Sequence, residues 1–175
     1  MRINLNEALV PATLKDLKLA MKQDPELATF VKTKAKKLPY NYRFLVEELN
    51  PVYREKTLYD VMKTSLEHEQ VVGSKTKLIS KFSKTDDKIT GFAAYLVNEY
   101  NEVTDMKMFS LTPESNLTLL LDLRKLLKDL TSKYDKVSWS ALKENPANET
   151  YIKATEKYNV TIEEDGKELR YTIVK

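Results

Sequence analysis

Apolar residues recur at helical spacing up to about residue 70, and the period then shortens to that of strands. Leu14, Leu17 and Met21 share one face behind Thr13, which forms a capping-box-like start with Asp16. Asp24-Pro25 restarts a helix, because proline suits the first helical position, and Leu27, Phe30, Val31 and Ala35 supply its buried stripe. A Pro39-bounded piece, NYRFLVEEL, follows. Asn50-Pro51 then opens a stretch in which Leu58, Val61, Met62 and Leu66 keep helical spacing.

Beyond residue 70, KLISKFS (77–83) and KITGFAAYLVN (88–98) predict strands joined by the turn KTDDK. The second carries Ile89, Tyr95 and Val97 on one face and Phe92 and Leu96 on the other, the pattern of a strand buried on both sides. TDMKMFSL (104–111) is the third strand of what is most simply an antiparallel meander. A leucine-dense helix follows at about 113–133. Its polar positions Thr118, Asp122, Lys125 and Asp129 form one narrow stripe, so protein covers most of its circumference. KVSWSA (136–141) is a short strand, with Trp139 directed to the core and Ser138 and Ser140 to the opposite side. Asn145-Pro146 starts another helix carrying Tyr151, Ala154 and Tyr158, with Asn145 read as its N-cap. NVTIEE and KELRYTIV close the chain as a hairpin turning at Asp165-Gly166.

These elements predict an α+β fold in a single domain spanning 1–175, mainly helical over 1–70 and β-β-β-α-β-α-β-β over 71–175. The strands ending at Leu111 and starting near Val137 are joined through a helix, which normally places them parallel. One parallel pair in a mostly antiparallel sheet opens a notch, and notches collect ligands.

Composition narrows the chemistry. The net charge of +3 is too near balance to point to nucleic acid, and the absence of cysteine removes disulfides and thiolate metal sites. A single histidine, His68, sits between Glu67 and Glu69 and cannot build a multi-histidine metal site. The basic run KTKAKK (32–37) reads as a solvated helix face, without the interleaved aromatics of single-strand binders. No stretch approaches the roughly 20 apolar residues of a membrane span, so a membrane is not expected as a partner and cytoplasmic residence is the default. Nucleophile-elbow, phosphate-loop and zinc-protease motifs are absent.

Three segments carry a resemblance to the GNAT superfamily of N-acyltransferases. LTPES (111–115) resembles the strand end that leads into that family's pyrophosphate loop. KVSWSALKENPANETYIK (136–153) resembles its passage from the fifth strand into the following helix, and GKELRYTIV (166–174) its closing strand. The element order from 77 to 175 matches as well, and RINLN (2–6) would be the first strand.

The resemblance implies a mixed, mostly antiparallel sheet flanked by helices, with acetyl-CoA as cofactor. Backbone groups from Lys107 through Met108, Phe109, Ser110 and Leu111 would meet the pantetheine arm. Glu114, Ser115, Asn116, Leu117 and Thr118 would surround the pyrophosphate at a helix N-terminus, and Asn145 would contact the cofactor. Tyr151 stands nearest the acid that protonates the leaving thiolate, although Thr155 falls closer to its usual spacing.

The phosphate loop departs from the family pattern. Asn116 stands where Gln or Arg is usual, and Leu119 and Leu121 replace the two glycines that let backbone approach phosphate. Two functions follow. One is acetyl transfer from acetyl-CoA to a small-molecule or protein amine. The other is an inactive domain of this fold that binds a protein partner or builds an assembly such as a phage- or virion-type particle.

Overall fold

The computed structural model describes residues 8–38, 55–67, 75–112 and 115–175. RINLN, NYRFLVEEL, His68, Pro113 and Glu114 lie outside them. The sheet contains β1 (Ala8–Pro11), β2 (Lys77–Thr85), β3 (Lys88–Val97), β4 (Glu102–Ser110), β5 (Lys136–Leu142), β6 (Val160–Asp165) and β7 (Glu168–Val174), in the order β1-β2-β3-β4-β5-β7-β6. Every neighbouring pair is antiparallel except β4 and β5.

Helices cover both faces. On one lie α1 (Leu14–Gln23), α2 (Pro25–Val31) and α3 (Leu58–Glu67), packed against Phe82, Phe92 and Phe109. On the other lie α4 (Ser115–Lys133) and α5 (Asn148–Thr155), against Tyr95, Met106, Met108, Trp139 and Tyr171. No helix among the described residues is long and apolar enough to cross a membrane.

Local chemistry explains the starts of the first helices. Thr13 Oγ1 accepts from the Asp16 amide at 3.1 Å, and Asp24 Oδ1 accepts from the Glu26 and Leu27 amides at 3.1 and 3.2 Å. The β2–β3 turn places Asp86 and Asp87 at φ +52° and +64°, a conformation that aspartate tolerates better than most side chains.

Ala8–Pro11, an apolar run, is the first strand described and pairs with β2. Several expectations within the described residues are corrected. Ile89 lies with Phe92 and not with Tyr95, because a bulge between Ser83 and Lys84 interrupts the alternation. The final hairpin turns at Gly166-Lys167 and not Asp165-Gly166. Asp165 still pairs with Glu168, and Gly166 takes the first turn position at φ +60°. α5 begins at Asn148, so Asn145 is not its N-cap. Its side chain closes the preceding turn by accepting from the Ala147 amide at 2.9 Å. The basic run is not a helix face: it crosses a turn and a short 3₁₀ helix, where Lys34 and Lys36 pair with Glu55.

The leucine helix is turned differently from its polar pattern. Its solvent face is Leu121, Arg124, Lys128 and Ser132, whereas Asp122 is buried against the sheet. Asp122 Oδ1 accepts from Ser83 Oγ at 2.7 Å and Thr90 Oγ1 at 3.2 Å. Lys125 joins this network by donating to Ser83 Oγ at 2.8 Å and to the Lys84 carbonyl at 3.2 Å.

Candidate functional site

β4 and β5 pair in parallel only at Glu102–Lys136 and Val103–Val137, and from there they diverge. Each keeps its outer ladder: β4 stays paired with β3 as far as Ser110, and β5 with β7 as far as Leu142. Alternate backbone groups on the two inner edges therefore face a gap instead of a neighbouring strand.

Side chains alternate along these edges. Met106 and Met108 enter the core beneath α4, while Asp105, Lys107 and Phe109 point to the α3 side. On β5, Trp139 enters the α4-side core, leaving Ser138 and Ser140 on the opposite side as expected. Lys107 Nζ donates to the Ser140 carbonyl at 3.3 Å, a link across the gap. Arg170 reaches Ser140 Oγ from β7 at 3.4 Å.

At the open end of the gap, Ser110 Oγ accepts from the Thr112 amide at 3.2 Å and lies 3.0 Å from the Thr112 hydroxyl. α4 then begins at Ser115. Leu119 and Leu121, aligned with the loop glycines, are not in a loop. They are inside the helix, Leu119 buried in the core and Leu121 exposed. Both lie beyond the first four amides that a helix leaves without internal partners.

The remaining sequence candidates distribute around this frame. The side chains of Met108, Phe109 and Leu111 are all core, and the Leu111 amide donates to the Thr90 carbonyl at 2.9 Å, so the rest of their backbone is the part able to face a ligand. Ser115, Asn116 and Leu117 are in the first turn of α4, Thr118 is half-buried there, and Glu114 lies outside the described residues. Asn145 is buried in the turn after β5. Tyr151 is buried on the α4 side, edge-on to Trp139 at 6.2 Å and to Tyr171 at 5.6 Å. The Thr155 hydroxyl bonds back to the Tyr151 and Ile152 carbonyls, both at 3.0 Å.

Sequence reasoning missed two features. The first is Asp105 with the Lys107 side chain, charged residues on the α3-side face of a strand that is paired over most of its length. That contradiction in the pattern was the available signal. The second is Asn148, whose Nδ2 donates to the Leu142 and Lys143 carbonyls at 2.8 and 3.2 Å. Its Oδ1 accepts from the Tyr171 hydroxyl at 2.8 Å, so one side chain ties α5 to the end of β5 and the middle of β7.

No protein-family model matches the chain, and no curated protein matches it by sequence. Solved structures do match. The structure of AAC(6')-Ib in complex with ribostamycin and coenzyme A is similar at TM-score 0.59 and 15% identity, over 97% of this chain and 94% of that one. The PaiA N-acetyltransferase of Thermoplasma acidophilum, in complex with coenzyme A, is similar at TM-score 0.54 and 15% identity, over 98% and 100%. The GNAT domain of S. lividans PAT is similar at TM-score 0.54 and 11% identity, over 97% and 90%. With the parallel β4–β5 pair, its divergence and the helices on both faces, the chain has the fold of the GNAT acetyltransferases.

Proposed function

We propose that the protein is a GNAT-like N-acyltransferase that moves an acetyl group from acetyl-CoA to an amine. The divergence of β4 from β5 carries this reading, because beyond Val103 the inner edge of β4 has no paired strand beside it. An extended arm bearing amides, such as pantetheine, fits such an edge by adding to it as a strand would.

In this reading the backbone from Lys107 to Leu111 holds the arm. The first-turn amides of α4 receive the pyrophosphate, aided by the positive end of the helix. The missing glycines do not block that placement, since Leu119 is directed to the core and Leu121 to solvent. Lys125 is committed to Ser83 and the Lys84 carbonyl, so its charge is spent away from the loop.

Acetyl-CoA would supply an activated thioester carbon. The chain would orient the amine toward it, and the Asp105 carboxylate on the α3 side would draw off the proton that the amine loses. Tyr151 has a packing role in this account, because it is enclosed by Trp139 and Tyr171 on the opposite face of the sheet.

Calorimetric titration with acetyl-CoA tests the reading. Saturable binding at micromolar to submillimolar concentration is expected, with desulfo-coenzyme A competing. No binding at millimolar ligand would overturn it and leave the fold as a scaffold.

A further inference from the structure

A cavity of about 160 Å³ lies between α3 and the α3-side face of β2–β4. Phe92 and Phe109, both buried and with ring centroids 5.3 Å apart, line its interior, with Val61 and Leu78 as further apolar walls. Among the described residues, the charged groups lining it are Asp105 and Lys107, both half-buried. Lys107 also reaches the Ser140 carbonyl across the β4–β5 gap, so this cavity and the candidate donor site share a wall. Asp105 stands two residues past the last β4–β5 pair, where the gap begins.

Size and chemistry together define an occupant. An apolar cavity of about 150 Å³ accepts a benzene molecule, so the Phe92–Phe109 end suits one phenyl ring or a branched alkyl group of similar bulk. A charged amine placed there would be stripped of water without a partner, but at the Asp105 side it gains a charge-assisted hydrogen bond. A polyamine or a sugar bearing several amines would need more than the one carboxylate that the described residues place in this lining.

Resting on the acyltransferase reading for its chemical consequence, we propose that the cavity selects the acceptor: a primary monoamine carrying one apolar group of about benzene's size. Asp105 holds the ammonium beside the gap, and the aromatic pair receives the apolar group. Asp105 first takes one proton from the ammonium, freeing the lone pair that bonds to the acyl carbon as the carbon–sulfur bond breaks. The second proton leaves the nitrogen with the departing sulfur, which ends as the coenzyme A thiol.

The test is direct binding to the full chain without cofactor, by calorimetry or ligand-observed NMR, using 2-phenylethylamine, 2-phenylethanol, ethylamine and spermidine. We expect 2-phenylethylamine to bind at least tenfold more tightly than the other three. Asp105→Asn should remove most of its advantage over 2-phenylethanol. Equal affinities, tighter binding of spermidine, or an Asp105→Asn variant that keeps the full amine preference would each overturn the assignment. These outcomes do not depend on acetyl-CoA. A protein that binds the phenyl amine but not the cofactor keeps the cavity assignment and loses the transferase. One that transfers acetyl groups equally well to ethylamine and spermidine does the reverse.

Discussion

Gly91→Ala isolates the contact that seats the leucine helix on the sheet. A Cβ at Gly91 would stand 2.6 Å from Asp122 Oδ2 and 3.2 Å from both Asp122 Cγ and Met108 Cε. The carboxylate is not free to swing aside, because its Oδ1 is held by Ser83 at 2.7 Å and Thr90 at 3.2 Å. Lys125 lies 3.8 Å from the same oxygen. Overpacking of this kind costs about 1–3 kcal/mol. Replacing glycine with alanine restricts the unfolded chain and returns about 0.4–1 kcal/mol. The net loss is then at most about 2.6 kcal/mol and about 1.3 kcal/mol at the midpoints of the two ranges, which at this chain length lowers Tm by about 3–5 °C at the midpoint. Urea unfolding followed by circular dichroism measures it. The decisive comparison is the same change in an Asp122→Ala background, where only the flexible end of Met108 still has to shift and Gly91→Ala should cost much less or nothing. An equal loss in both backgrounds would refute the assignment of the cost to Asp122.

Three further outcomes follow from the same geometry. Tyr171→Phe removes the hydroxyl that donates to Asn148 Oδ1 and leaves a buried amide oxygen short of a donor; stability should fall by about 1–3 kcal/mol in urea unfolding. Asp24→Ala loses the bonds to the Glu26 and Leu27 amides and should cost about 0.5–2 kcal/mol by the same assay. Burial, with smaller contributions from Tyr134 and Asp129, raises the Tyr95 phenol well above the ordinary tyrosine range. Its stabilising effect is complete below the unfolded value of about 10 and is lost as pH rises through the higher folded value. Phenolate absorbance should show Tyr95 still protonated after exposed tyrosines ionise, and Tyr95→Phe should flatten the alkaline fall in stability.

The periodic features of this chain were legible because burial acts on them one residue at a time. The two-faced apolar pattern of β3, the crossover from β4 to β5, the cap at Thr13 and the helix restart at Asp24-Pro25 all appear where the spacing places them. The errors arose where partners distant in sequence decide the outcome. Asp122 reads as a surface residue until Ser83 and Thr90, brought by two strands, supply its hydrogen bonds. Ile89 changes face because of a one-residue bulge that no local propensity announces. The loop leucines looked obstructive because they align with the two glycines of the family's loop, although the helix expected from about 113 already contained them. Once the helix begins at Ser115, one leucine is core and the other faces solvent. Asp105 and Lys107 were missed as side chains, since charged residues on a strand acquire meaning only when the neighbouring strand turns away.

The central claim is that the inner edge of β4, beyond its last pair with β5, receives the acyl donor. Amide chemical-shift mapping of the full chain during titration with acetyl-CoA addresses it residue by residue. The account predicts saturable shifts concentrated at the Lys107, Met108, Phe109, Ser110 and Leu111 amides and in the first turn of α4, with Ser138–Ser140 of β5 responding in step. Shifts confined to another surface, or none at millimolar acetyl-CoA, would contradict it.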